Sequence, residues 1–146
     1  MLDMLKQLFE GDRQPSTPSA EAVPVAVATL LGEAALSDGT LVQEEERALA
    51  RLVAQRFDLP ETEAKAIAAK GLAKARASTD LWRTARLVND SMSEAEKIDL
   101  IGDLWRIVLA DGVVDDFEAA LIRKLAGLLY IRDQDAGRAR KQATRG

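Results

Sequence analysis

The sequence predicts an all-α fold of about seven helices, and its composition, its apolar spacing and its short breaks all indicate this. The 146-residue chain is 47% apolar but only 4% aromatic, and it is rich in the helix formers Ala, Leu, Glu and Arg. Apolar residues recur at helical spacing over most of its length. The breaks between these stretches are short and contain Gly, Pro, Ser or Asp, which are typical of helix boundaries.

The start of the chain differs from the remainder. Residues 1–10, MLDMLKQLFE, predict an amphipathic segment, and residues 11–22 predict a flexible linker because they contain Pro and Ser. Residues 23–146 are predicted to form one helical domain. The segment 1–10 either folds back on this domain or anchors it to a membrane surface or a partner. Its apolar face would consist of Met1, Leu2, Leu5, Leu8 and Phe9.

Each predicted helix has a recognisable start. The first helix is very apolar and ends at Asp38-Gly39. The fifth opens with a Ser-x-x-Glu capping box. The seventh is short and covers a basic tail, which we expect to be solvated. We expect both Trp82 and Trp105 to lie in the core, because aromatic residues at helical spacing usually do. The first six helices are predicted to begin at or next to Pro24, Gln43, Pro60, Asp80, Ser93 and Asp116.

A repeat with an offset of 73 residues relates the first two helices to the fifth and sixth. The stretch ALSDGTLVQEEE at 35–46 returns as VLADGVVDDFEA at 108–119. Two helix-turn-helix units of this kind would bury their apolar faces against each other about a pseudo-two-fold axis. Helices three and four would then form the connection and lid. The matched pairs are Leu31 with Leu104, Asp38 with Asp111, Glu45 with Glu118, Leu52 with Leu125, and Phe57 with Tyr130.

Each turn contains Asp-Gly and then a Glu seven residues after the Asp, as in the second half of a calcium-binding EF-hand loop. The first half of that loop is missing, because apolar residues stand where its acids would be. The sequence therefore predicts a composite site in which the acids of both repeats converge. Oxygen ligands alone favour Ca²⁺ or Mg²⁺, bound weakly. The predicted metal ligands are Asp38, Glu45, Asp111 and Glu118.

Local capping offers a second interpretation of the same acids. Gly after a helix is the usual left-handed residue, and acids suit the start of the next helix. Asp115 and Glu118 even form an Asp-x-x-Glu capping pattern. In the first repeat, however, Val42 stands where Asp115 does in the second, and it cannot cap. Since Glu45 is present all the same, capping alone does not account for both glutamates.

Composition excludes several classes of function. The chain has no Cys and no His, which removes the usual zinc sites and nearly all triad catalysis. A net charge of −4 gives no general attraction to nucleic acid. No apolar run approaches the ~20 residues that span a bilayer, and no secretory signal opens the chain. We expect a cytoplasmic protein, peripheral to the membrane if residues 1–10 act as an anchor.

The repeated SDG…EEE and ADGVVDDFE motifs, with LWR before the second turn, resemble the tellurite-resistance TerB family. The same fold occurs in the N-terminal domain of DjlA-type co-chaperones. The resemblance covers roughly residues 24–135. It implies a helical bundle with an acidic, metal-binding surface and an association with tellurite or wider stress resistance. The family's acidic positions map onto Asp38, Glu45, Asp111 and Glu118. Val42-Gln43 stands where the family often has a further acid, which leaves the first half-site less acidic.

The leading functional prediction is therefore a non-enzymatic module, which binds a divalent cation or presents an acidic surface to protein partners. Two alternatives are open. One is a purely structural or oligomerisation domain in which the acids are caps. The other is a carboxylate-metal hydrolase, which is disfavoured because no His, no glycine-rich phosphate loop and no basic cluster adjoin the acids.

Overall fold

A computed structural model describes residues 20–37, 43–77, 80–111, 114 and 116–145. These ranges contain seven α-helices and no strand, so the all-α prediction is confirmed. A single 3₁₀ turn, Leu109–Asp111, continues the fifth helix. The helices are α1 (Ala22–Ala35), α2 (Gln43–Phe57), α3 (Glu61–Arg76), α4 (Leu81–Ser91), α5 (Glu94–Val108), α6 (Asp116–Leu128) and α7 (Asp133–Arg145).

α1 lies at the centre of the bundle because its sequence gives it almost no polar face. Every residue from Pro24 to Gly32 is buried. A helix that is apolar all round must be enclosed, and α1 packs against α2, α3, α4, α5 and α6. Pro24, predicted as the first helical residue, is the third. It is tolerated there because N–H groups in the first turn have no partner within the helix.

Local capping signals fix the starts of α4 and α5 as the sequence predicts. The Asp80 carboxylate accepts a hydrogen bond from the Trp82 N–H at 3.0 Å. At α5 the capping box is complete, since the Glu96 N–H donates to the Ser93 hydroxyl at 3.2 Å and the Ser93 N–H donates to the Glu96 carboxylate at 2.9 Å. These bonds with Ser93 lower the pKa of Glu96.

The helix contacts of the first half of the chain recur in the second half. α1 packs against α3 as α5 packs against α7, α2 contacts α5 as α6 contacts α1, and α1 and α5 pack against each other. These reciprocal contacts are those of a pseudo-two-fold axis. They also assign three helices to each repeat, α1–α3 and α5–α7. The prediction that helices three and four together form the connection is therefore wrong, since only α4 links the repeats.

Both repeats end their second helix in the same left-handed turn. Asp58 has a φ of 52° and Tyr130 a φ of 58°. In each case the following residue donates its N–H to the carbonyl five positions back, at 3.0 Å, which is the 6→1 bond of a Schellman motif. Asp58 and Tyr130 lie 72 residues apart in the sequence, whereas the matched acids of the two repeats lie 73 apart. The predicted pairing of Phe57 with Tyr130 is therefore wrong, and Asp58 is the partner.

The two tryptophans have opposite environments. Trp105 is buried, as predicted, and the Arg140 guanidinium lies 4.3 Å from the centroid of its ring. Trp82 is 61% exposed, so its predicted core position is wrong. It is the second residue of α4 and lines a surface pocket with Leu128 and Tyr130. Part of the basic tail is also structural rather than merely solvated, because Arg138 pairs with the buried carboxylate of Asp135.

The described residues contain no helix that is both long enough and apolar enough to cross a membrane.

The backbones of α1 and α3 approach each other most closely at Gly71. A Cβ added there would lie 2.5 Å from both the carbonyl carbon and the Cβ of Ala28. Such a clash with backbone atoms cannot be relieved by rotating a side chain. Gly32, on the facing side of α1, is also close, since its added Cβ would lie 3.4 Å from the Gly71 carbonyl oxygen. This contact requires small residues on both helices.

Gly71→Ala should therefore destabilise the protein, by about 1–3 kcal/mol, because α3 must move away from α1. Gly137→Ala is a matched control, because Gly137 lies inside α7 and its added Cβ meets nothing within 4 Å. The control should gain up to about 1 kcal/mol from helix propensity. Urea denaturation of both variants measures the difference. Equal stabilities would contradict the close α1–α3 contact.

Candidate functional site

Two buried glutamates occupy the same place in the two repeats. Glu45 is the third residue of α2 and Glu118 the third residue of α6. Their exposed fractions are 1% and 4%. Both are predicted site residues, and each lies in the first turn of the helix that follows an Asp-Gly turn. The structure thus encloses the matching acids of the 73-residue repeat at equivalent positions.

At the start of α6 an acidic side chain is buried and an apolar one is exposed, which is the opposite of what apolar packing favours. Phe117 is 64% exposed, whereas its neighbour Glu118 is buried. In α2 the acids on either side of Glu45, Glu44 and Glu46, are exposed. Burying a carboxylate costs free energy that burying a phenyl ring does not, although the positive end of the helix dipole reduces that cost. Core packing therefore does not explain why the glutamates face inwards.

The two repeats meet where α2 contacts the 3₁₀ turn at the end of α5. α2, which carries Glu45, packs against the 3₁₀ turn that ends at Asp111. The helix after the first turn thus contacts the second turn, as a face-to-face arrangement requires. Asp38 lies outside the described residues, as does the side chain of Asp111. The convergence of all four carboxylates therefore stays a prediction.

Side chains tie both second helices to α5. The Arg56 guanidinium, near the end of α2, donates to the Asp103 carboxylate from Nη2 at 2.6 Å and from Nε at 3.2 Å. Arg106 donates to the other oxygen of this buried carboxylate at 2.7 Å. The Lys97 ammonium donates to the Leu129 carbonyl at 3.0 Å, just beyond the end of α6. α5 therefore holds α2 and α6, and with them Glu45 and Glu118, in a fixed relation.

The buried pair of Arg56 and Asp103 is not evident from the sequence. The two residues are 47 positions apart, and the helical pattern of α5 marks only its apolar face. A buried carboxylate with two guanidinium partners is satisfied. Its position therefore indicates a structural role.

Electrostatics near the first turn are shaped by a further acid, Glu33 of α1. Burial raises the pKa of its carboxyl, and the positive charge of Lys124 on α6 partly opposes this increase. Glu33 lies five residues before Asp38. It is half-buried, so part of its charge is shielded by water.

The chemistry of the predicted donor set fits a hard cation. Four carboxylates supply only oxygen ligands, which Ca²⁺ and Mg²⁺ prefer. Within the part of the chain that the structure describes, no group of three or more acidic side chains is placed to hold a metal ion. Glu45 and Glu118 are the members of the predicted set whose side chains are described, and both are enclosed by protein.

Glu33→Gln should raise stability at neutral pH and have less effect in acid. A carboxyl whose pKa is raised on folding contributes most below its unfolded pKa, and that stability is lost as pH rises through the folded pKa. The Gln side chain does not ionise, so the variant does not lose this stability as the pH rises. Urea midpoints measured from about pH 4 to about pH 8 would show the difference growing with pH. Glu44→Gln, an exposed site in α2, controls for the change in net charge. A less stable Gln variant at neutral pH would mean that attraction to Lys124 outweighs burial.

Comparison with known proteins agrees with the motifs and the fold. The family model described as tellurite resistance protein TerB matches residues 24–141. The match runs from the first turn of α1 into α7 and includes both Asp-Gly turns. Its range agrees with the 24–135 predicted from the motifs. No curated protein and no solved structure matches the chain. Because the family model covers most of its length, the chain belongs to the TerB family.

Proposed function

We propose that this TerB-family chain is a non-enzymatic module that binds one divalent cation, Ca²⁺ or Mg²⁺, between its paired turns. Asp38 and Glu45 of the first repeat and Asp111 and Glu118 of the second would supply the oxygen ligands. The observation that carries the proposal is the burial of the two equivalent glutamates, at 1% and 4% exposure, in helices whose first two residues are exposed.

Burial also favours ion binding over catalysis. A general acid or base must reach the substrate to within hydrogen-bond distance, and enclosed glutamates offer a bulky substrate no such access. A small ion needs only a gap between side chains. The chain also has no His or Cys that could serve as a base or nucleophile.

The biological role that we propose is the one suggested by the family description, tellurite resistance or a wider stress response. A module without catalytic groups would act there through contact with protein partners. Cation binding would draw together turns from both repeats, so the partner-facing surface would depend on the bound ion.

Calorimetric titration of the full chain with Ca²⁺ and with Mg²⁺ tests the proposed site. We expect binding heat from the wild type and an increase in Tm with cation concentration, since an ion that binds only the folded state stabilises it. Glu45→Gln and Glu118→Gln keep side-chain size but remove a ligand charge. Each should weaken binding at least tenfold, and Asp38→Asn with Asp111→Asn should abolish it.

Glu46→Gln is the matched control, because Glu46 adjoins Glu45 in the same helical turn but is exposed. It makes the same change in net charge and should leave the affinity almost unchanged. Equal weakening in all Gln variants would indicate general attraction to an acidic surface. The absence of both heat and a Tm shift in the wild type would overturn the proposal and leave the glutamates as structural caps.

A further inference from the structure

A groove of about 350 Å³ runs between α2 and α3 on the surface of the bundle. Its apolar floor consists of Ala50 from α2 and Ala68, Ala69 and Leu72 from α3. The α3 residues are spaced as one helical face. Because three of the four are alanines, another helix could approach the floor closely. A groove with an apolar floor of this spacing is the kind of surface that binds an amphipathic helix.

The rim of the groove is charged on both sides. Glu46 and Arg47 line it from α2, and Lys65 lines it from α3, all of them exposed. Lys65 also pairs with Glu61 at 3.0 Å, but both side chains are largely in water, so this pair is weak. A helix lying in the groove would therefore meet charges of both signs beside its polar face.

Residues 1–10 have the matching pattern. Their large apolar side chains would share one face of a helix, opposite small alanines on the groove floor, and their polar face carries both acids and a lysine. With one lysine on that face, the segment has little attraction to anionic lipid. Its composition therefore suits this mixed rim better than a membrane surface.

The described part of the chain starts next to α3, on the side away from the groove. Glu21, just before α1, pairs with Lys70 of α3 at 2.7 Å, and α3 forms one wall of the groove. Ten residues, 11–20, separate Glu21 from the end of the amphipathic segment. Ten extended residues span up to about 33–36 Å, whereas a helix with its side chains is about 10–12 Å across. The linker is long enough to cross α3 and reach the groove on its other side.

We infer that residues 1–10 dock as an amphipathic helix in the groove between α2 and α3 of their own chain. Met1, Leu2, Leu5, Leu8 and Phe9 would face the alanine floor. Asp3, Lys6 and Glu10 would lie along the charged rim. This contact is separate from the cation site, and it holds whether or not a cation binds.

A spin-label experiment on the full chain tests this inference. The sequence has no cysteine, so Gln7→Cys creates a single attachment point on the polar face of the segment. We expect the nitroxide to remove most of the intensity of the Ala50 and Ala69 amide resonances, relative to the reduced label. The amides of Trp82 and Tyr130, outside the groove, should keep theirs. Broadening that is absent, evenly spread or centred elsewhere would overturn the inference.

Two variants of the labelled chain provide a matched comparison. Ala69→Glu places a charge on the groove floor and should abolish the broadening. Ala66→Glu makes the same change at another exposed position of α3, outside the groove, and should leave the broadening intact. Should Ala69→Glu fail to fold, Leu5→Asp with Leu8→Asp tests the same contact from the segment. Equal effects of the two Ala variants would contradict the inference.

Mixing experiments separate the docked segment from other occupants. A chain that carries the nitroxide but no ¹⁵N can be added to a ¹⁵N chain that carries no nitroxide. This mixture should show no broadening of the groove resonances. Broadening in this mixture would identify a second copy as the occupant and overturn docking within one chain. Binding of residues 1–10 to lipid vesicles, with no broadening before lipid is added, would overturn it in favour of a membrane anchor.

Discussion

Because α1 has almost no polar face, both repeats must contribute helices to cover it. Five helices surround it, and the closest is α3, whose backbone reaches α1 at Gly71. The contact requires Gly at position 71 and a small residue opposite it, at Ala28, where larger side chains would normally fill space. Once α1 and α3 are packed in this way, the position of α2 follows, because short connections join it to both helices. The central helix therefore determines the arrangement of the elements that carry the acids.

The duplication places Glu45 and Glu118 at equivalent positions inside the bundle, although apolar side chains would pack there at lower cost. Each lies at a helix N-terminus, where backbone dipoles favour negative charge. Arg56 of α2 bonds to Asp103 of α5, and Lys97 of α5 bonds to the Leu129 carbonyl after α6, so α5 fixes the two helices relative to each other. The proposed cation site depends on these two enclosed acids, and helices held in place by α5 would have little to reorganise when an ion binds.

Local signals in the sequence are sufficient to predict much of this fold. Asp80, Ser93 and Glu96 mark helix starts through bonds within a few residues, and the 73-residue repeat locates both inward glutamates. The errors concern long-range packing. Trp82 has core-like spacing, yet the direction in which it points depends on helices distant in the sequence. The role of α3 and the bond between Arg56 and Asp103 likewise depend on elements that meet only in the folded chain.

The third helix of the first repeat, α3, is held more firmly in the bundle than the third helix of the second repeat, α7. α3 packs directly against the central helix, α1. In contrast, α7 buries only two alanines and a paired aspartate, Asp135. A cation–π contact between Arg140 of α7 and Trp105 of α5 also helps to hold α7 in place. Few buried apolar contacts mean a low free energy of local opening. Separating the carboxyl-terminal helix from α5 should therefore cost less free energy than separating α3 from α1, and it would uncover the indole ring of Trp105, whose fluorescence reports the event.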